Sequence, residues 1–201
     1  DIVLRWYDHW LKGIDTGIMD EPPITILVQG TDQWRDEHEW PLARTRWAQW
    51  QLRSHGRLTE ARPGWNEPSD TFTNAVALKP GESVPGLKYV TQAFAEDLEL
   101  TGPLALYLYA SLSTDDTNSI VELNDLDPQG YVNRVTLGWL KASHRELDAD
   151  RSKPYKPVHP HRRAVPVEPG RTNLYAIEIR ETSYVFRAGH RMQLAIKAQD
   201  T

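Results

Sequence analysis

The chain has 201 residues, 39% of them hydrophobic and 25% charged, which suits one ordinary globular domain with a sizeable core, or one domain plus a fragment of another. Its net charge of −5 leaves no basic footprint for nucleic acid and no polybasic run for a membrane surface, and no stretch approaches the roughly 20 apolar residues of a membrane-spanning helix. The absence of cysteine excludes disulfides, thiol catalysis and thiolate metal sites, without fixing a compartment.

Val3, Trp6, Tyr7, Trp10 and Leu11 fall at helical spacing, with Arg5, Asp8, His9 and Lys12 on the other side and Gly13 placed to stop the helix. Six of the eight tryptophans precede Gln51, so the two halves of the chain are built differently, and such clustering reads first as core packing or a domain interface. After the break at Glu21-Pro22-Pro23, Ile24 to Val28 is an unalternating apolar run, expected as a strand buried on both faces. Trp47 to Leu52 reads as another strand, and Ser54-His55-Gly56-Arg57 as the turn leading into Leu58. Pro and Gly then mark a long irregular connection from Ala61 to Gly86, expected to be ordered against the surface with Phe72 as its anchor.

Strands follow at Tyr89 to Phe94, Leu98 to Leu100 and Leu104 to Leu112; apolar residues on both faces of the last place it at the centre of its sheet. The stretch Ser119 to Arg145 is a hairpin. Val121 and Leu123 share one face of its first arm, Val135, Leu137 and Trp139 share one face of its second, and Thr136 and Gly138 turn the other way. Asp127-Pro128-Gln129-Gly130 between them suits a type I turn. The apolar face of two long strands needs a second sheet to cover it, so the hairpin points to a sandwich. A proline-rich crossover, Lys153 to Pro160, precedes the turn Glu168-Pro169-Gly170-Arg171, which opens a strand from Asn173. Arg191 to Lys197 alternates, with Met192, Leu194 and Ile196 in phase. Many short strands and almost no helix make an all-β sandwich.

Several short motifs, in order, carry a resemblance: Leu100-Thr101-Gly102-Pro103-Leu104, Tyr107-Leu108-Tyr109-Ala110-Ser111, Thr114-Asp115-Asp116, Val121-Glu122-Leu123, and Asp125-Leu126-Asp127-Pro128-Gln129-Gly130. Gly138 to Arg145, Thr182-Ser183 and Phe186-Arg187-Ala188-Gly189-His190-Arg191 continue it. Together they resemble the C-terminal β-domain of the hydrolase family that contains the X-Pro dipeptidyl-peptidases and the cocaine-esterase-like acyl esterases. The resemblance implies a jelly-roll β-sandwich of galactose-binding-like type, attached to an α/β-hydrolase domain that holds a Ser-His-Asp triad. It also implies that Trp6 to Gly13 is the last helix of that hydrolase domain. The expected division is 1–20 for this helix and its exit, and 21–201 for the jelly roll. Family members continue past the strand matching Met192 to Ile196; here a missing final strand would expose backbone edges that invite pairing with a neighbouring chain.

The residues themselves offer little chemistry. No serine sits in the Gly-x-Ser-x-Gly elbow of a hydrolase of this type. Ser54 beside His55, and Ser143 beside His144, are sequence neighbours whose side chains diverge on a strand. His159 and His161 could share one side of a strand, but no third metal ligand is spaced to join them. Asp115 and Asp116 flank one end of a strand, and Asp125 and Asp127 the other, some 30 Å away when extended, so one calcium ion cannot take all four. His144 and His190 read as residues that fix loops. No catalytic, cofactor-binding or metal-binding residue is therefore assigned, and no cofactor is expected.

The leading expectation is a non-catalytic C-terminal domain that braces an α/β serine hydrolase domain and walls its substrate cleft. An ester or peptide substrate would reach it only through that partner domain, nucleic acid and membrane are not expected partners, and a homo-oligomer through an open β-edge is a further option. The rival is a free-standing carbohydrate-binding module that stacks sugars on Trp34, Trp40 and Trp65.

Overall fold

The computed structural model describes residues 1–74 and 83–200. Helix α1 (Ile2–Lys12) ends at Gly13, whose left-handed backbone lets its N–H return to the His9 carbonyl while Ile14 N–H bonds Asp8. A two-stranded antiparallel sheet follows, β1 (Ile24–Val28) with β2 (Gln33–Glu37). The remaining strands are β3 (Gln51–Arg53), β4 (Arg57–Thr59), β5 (Gly86–Val90), β6 (Leu98–Ala110), β7 (Asn118–Leu126), β8 (Val132–Lys141), β9 (Asn173–Phe186) and β10 (Arg191–Lys197). They form one eight-stranded sheet in the order β3-β4-β5-β10-β7-β8-β9-β6. The expected all-β class holds, as one curled eight-stranded sheet beside the small β1–β2 sheet.

The curl is made at β8 and β9, which share only the pair Gly138↔Ile179. Gly138 is required there, because a Cβ would overlap the Glu178 carbonyl oxygen. Beside it the Thr136 hydroxyl donates to the Arg180 carbonyl at 2.8 Å. Past this crossing the β9–β6 limb folds over the rest of the sheet. Val121, Leu123, Tyr175, Ile177, Phe186 and Leu194 meet in the enclosed core.

This crossing overturns the expected inner face of β8. Thr136, Gly138 and Leu140 are buried, whereas Trp139 lies outside with the Arg180 guanidinium 4.7 Å above its ring. The hairpin turn is as expected: Gly130 N–H bonds the Asp127 carbonyl, and the Asp127 carboxylate accepts from Gln129 and Tyr131 N–H.

Other expectations also change. Burial alternates along β1, with Thr25 and Leu27 exposed, because a two-stranded sheet has nothing on its outer face. Trp47 to Trp50 are outside any strand, and Trp47 instead stacks on Tyr155 at 4.3 Å. Strand β5 stops at Val90. Leu98–Leu100 and Leu104–Ala110 are one strand, irregular between Gly102 and Leu104. This β6 is an edge strand rather than a central one, and its outward Tyr107 and Tyr109 are exposed. Strand β10 pairs with β5 on one side and β7 on the other and is buried on both faces, so the unpaired edge lies at β6 and not at the last strand. Phe72 is 36% exposed and is no core anchor. The expected connection is pinned by Glu67, whose carboxylate accepts from the Arg53 guanidinium and from Ser54 and Gly64 N–H; residues 75–82 of it lie outside the described residues.

Candidate functional site: an unpartnered helix and an open apolar cleft

Helix α1 presents a continuous exposed apolar face. None of its residues is buried, and Val3, Trp6, Tyr7, Trp10 and Leu11 are all exposed, Leu11 to 75%. Trp6 and Trp10, one turn apart, touch with ring centroids 5.7 Å apart. At its polar side Arg5 reaches the Thr16 carbonyl and Glu21, and within the helix Lys12 pairs with Asp8 at 2.6 Å. An exposed apolar stripe of this size marks a contact surface.

The second feature is a cleft of about 2420 Å3 between β6 and the β3–β5 end of the sheet. Leu100, Leu104 and Leu108 of β6 line it with Leu52 and Leu87. All five are only partly buried, although they pack against the core. A charge network closes one end of β6: Arg35 of β2 binds both Glu99 carboxylate oxygens, at 2.7 and 3.0 Å, and with Arg44 brackets the buried Glu37. The guanidinium of Arg44, backed by Arg35, holds the Glu37 carboxyl below its usual range.

The polar residues singled out from the sequence are engaged within the fold. The Ser143 hydroxyl donates to Asp116 at 2.7 Å, and the neighbouring His144 ring faces away to His161, Nδ1 to Nδ1 at 3.1 Å. Ser54 is buried at the end of β3, and His55 occupies the turn beyond it, its N–H bonded to Asp70. His159 does not share a ligand position with His161: its two nitrogens lie 2.9 Å from the Glu146 carbonyl and 2.7 Å from the Ala176 carbonyl. Asp127 caps the hairpin turn, and Asp125 lies buried at the end of the core. Among the described residues no three His, Asp or Glu side chains form a metal-sized group.

Asp125 organises a cluster that local sequence could not show. It accepts from the Tyr184 hydroxyl at 2.7 Å, and His190 Nδ1 sits 2.9 Å from both of its oxygens. Burial, then the bond to Asp125, pushes the Tyr184 phenol up to about 12. These residues are 59 and 65 positions from Asp125 in sequence, and only the pairing of β10 with β7 brings His190 across. The cluster ties the start of β10 to the end of β7, which agrees with a loop-fixing role for His190. Trp34 on β2, Trp65 in the loop after β4 and Trp40, whose indole N–H donates to Glu181, lie on separate segments. Among the described residues no two of these rings touch, so they do not form a stacking platform.

Residues 16–201 match the family model for the X-Pro dipeptidyl-peptidase C-terminal non-catalytic domain. The chain belongs to this family. It is 29% identical over 225 residues to a putative serine esterase of Mycobacterium bovis, covering 98% of this chain and 36% of that protein. It is 24% identical to the cocaine esterase of a Rhodococcus species, covering 97% and 37%, and 20% identical to a putative Xaa-Pro dipeptidyl-peptidase of Bacillus anthracis, covering 98% and 32%. Among solved structures, a CocE/NonD family hydrolase from Staphylococcus aureus superposes with a TM-score of 0.80 at 20% identity, over 100% of this chain and 38% of that one. The chain thus spans about a third of the length of these relatives. It is the non-catalytic C-terminal domain type of CocE/NonD-like hydrolases. The family match begins after α1 has ended.

Proposed function

We propose that this domain braces an α/β serine hydrolase domain and walls one side of its substrate cleft, while the bond-breaking residues belong to that partner domain. The curled sheet would be its jelly roll, beginning near residue 21, and α1 would be the last helix of the hydrolase domain. The observation that carries this reading is the pairing of a family match over 16–201 with a preceding helix none of whose residues is buried. In the whole enzyme a serine nucleophile, a histidine base and an orienting aspartate would act on an ester or an X-Pro peptide, with backbone amides holding the oxyanion. Beside His144 and His190 the side chains are differently occupied: Ser143 is bonded to Asp116, and Asp125 faces His190 with Tyr184 rather than a serine. The test is turnover of p-nitrophenyl esters and of an X-Pro p-nitroanilide by the 201-residue chain alone. Rates should equal those of buffer; saturable turnover of either substrate would overturn the reading.

A further inference from the structure

We propose that His144 and His161 form a two-imidazole site for a late first-row divalent cation, Cu2+ above all, with water completing its coordination. Their Nδ1 atoms lie 3.1 Å apart and their ring centroids 5.2 Å apart. Two imidazole nitrogens on one ion, each at about 2.0 Å, stand about 2.8 Å apart at a right angle and about 3.3 Å apart at the tetrahedral angle. The observed spacing falls between the two. In the hydrogen-bonded pair one Nδ1 carries a proton and the other accepts it. A cation would take both Nδ1 lone pairs, and that proton would pass to Nε2 of its own ring, so none is released.

The sequence sets His159 two positions from His161, but the fold breaks that pair and makes another. Both His159 nitrogens face carbonyls, of Glu146 and Ala176. His161 has left-handed backbone, with a φ of 51°, a conformation uncommon for a residue with a Cβ, and its ring meets His144 from 17 residues away.

The two segments are clasped to each other around the pair. His144 ends the short 3-10 turn Ala142–His144, in which Ser143 is bonded to Asp116 through both its N–H and its hydroxyl. The Ser143 carbonyl accepts from Val165 N–H at 2.7 Å. Arg145 donates to the Ala142, Val165 and Pro166 carbonyls, and Arg163 pairs with Glu146 at 2.8 Å. Chelation therefore needs no rearrangement of backbone. His144 is half-buried and His161 exposed, which lets the ion enter from solvent. Among the described residues no third His, Asp or Glu joins them, so water fills the remaining positions and Cu2+ should bind more tightly than Zn2+. The inference uses only these two segments and stands apart from the hydrolase reading.

Calorimetric titration of the folded chain with CuCl2 tests it, and one equivalent should bind. His144→Gln, and His161→Asn with an amide that tolerates left-handed backbone, should each raise the Cu2+ dissociation constant at least about tenfold. His38→Gln, exposed on another segment, should leave it unchanged. In NMR spectra of the parent chain, substoichiometric Cu2+ should broaden the ring signals of His144 and His161 before those of His9, His38 and His55. No binding by the parent would overturn the proposal. So would folded His144→Gln and His161→Asn variants that bind like the parent, or broadening that begins at His9, His38 or His55; should either variant fail to fold, the order of broadening in the parent decides.

Discussion

At the scale of single residues, the acid side of the stability profile has an identifiable source. The Glu67 carboxyl is lowered from 4.5 to about 2, chiefly by the Arg53 guanidinium and further by Gly64 and Ser54 N–H. A carboxyl lowered in the folded state contributes stability that is present above its unfolded value and lost as pH falls through the folded one. Glu67 should therefore contribute fully above about pH 4.5, and its contribution should fade toward pH 2. Urea midpoints measured against pH should show a loss in this window that is absent in Glu67→Gln. An unchanged profile in the variant would show that Glu67 does not hold the loop against β3. At the alkaline end, Tyr184 is raised to about 12, so the folded state keeps a proton that the unfolded chain releases from about pH 10, and stability falls between the two.

Elements divide into those dictated locally and those dictated by neighbours. Helix α1 and the turns at Asp127–Gly130 and Glu168–Arg171 follow from spacing, capping and proline or glycine at fixed positions, and all are where the sequence puts them. The inner face of β8 was not legible, because alternation reports that two faces differ without saying which one a later strand will cross. Gly138, which looks like a gap in the apolar pattern, is the contact point with β9. Likewise β6 carries the composition of a central strand, yet the order of strands leaves it at the edge. The Asp125–His190 and Arg35–Glu99 contacts span 65 and 64 residues, and no local pattern announces either. Among the elements α1 is the separable one. A chain beginning at Thr16 should keep the melting temperature of the parent and lose only helical ellipticity and exposed tryptophan. Collapse of the β-body on removing α1 would mean that the helix belongs to this fold after all.

The whole molecule is a curled sheet with a filled core, a partly open cleft beside β6 and a helix whose apolar face is exposed among the described residues. Buried apolar side chains hold the curled sheet together, and on the proposed reading the uncovered surfaces would face other polypeptide of a larger hydrolase. The central claim is that the nucleophile is carried elsewhere. The most direct measurement is intact-mass spectrometry of the folded chain after incubation with a fluorophosphonate probe. The account predicts unmodified protein; a stoichiometric adduct on any serine, Ser54 or Ser143 included, would contradict it.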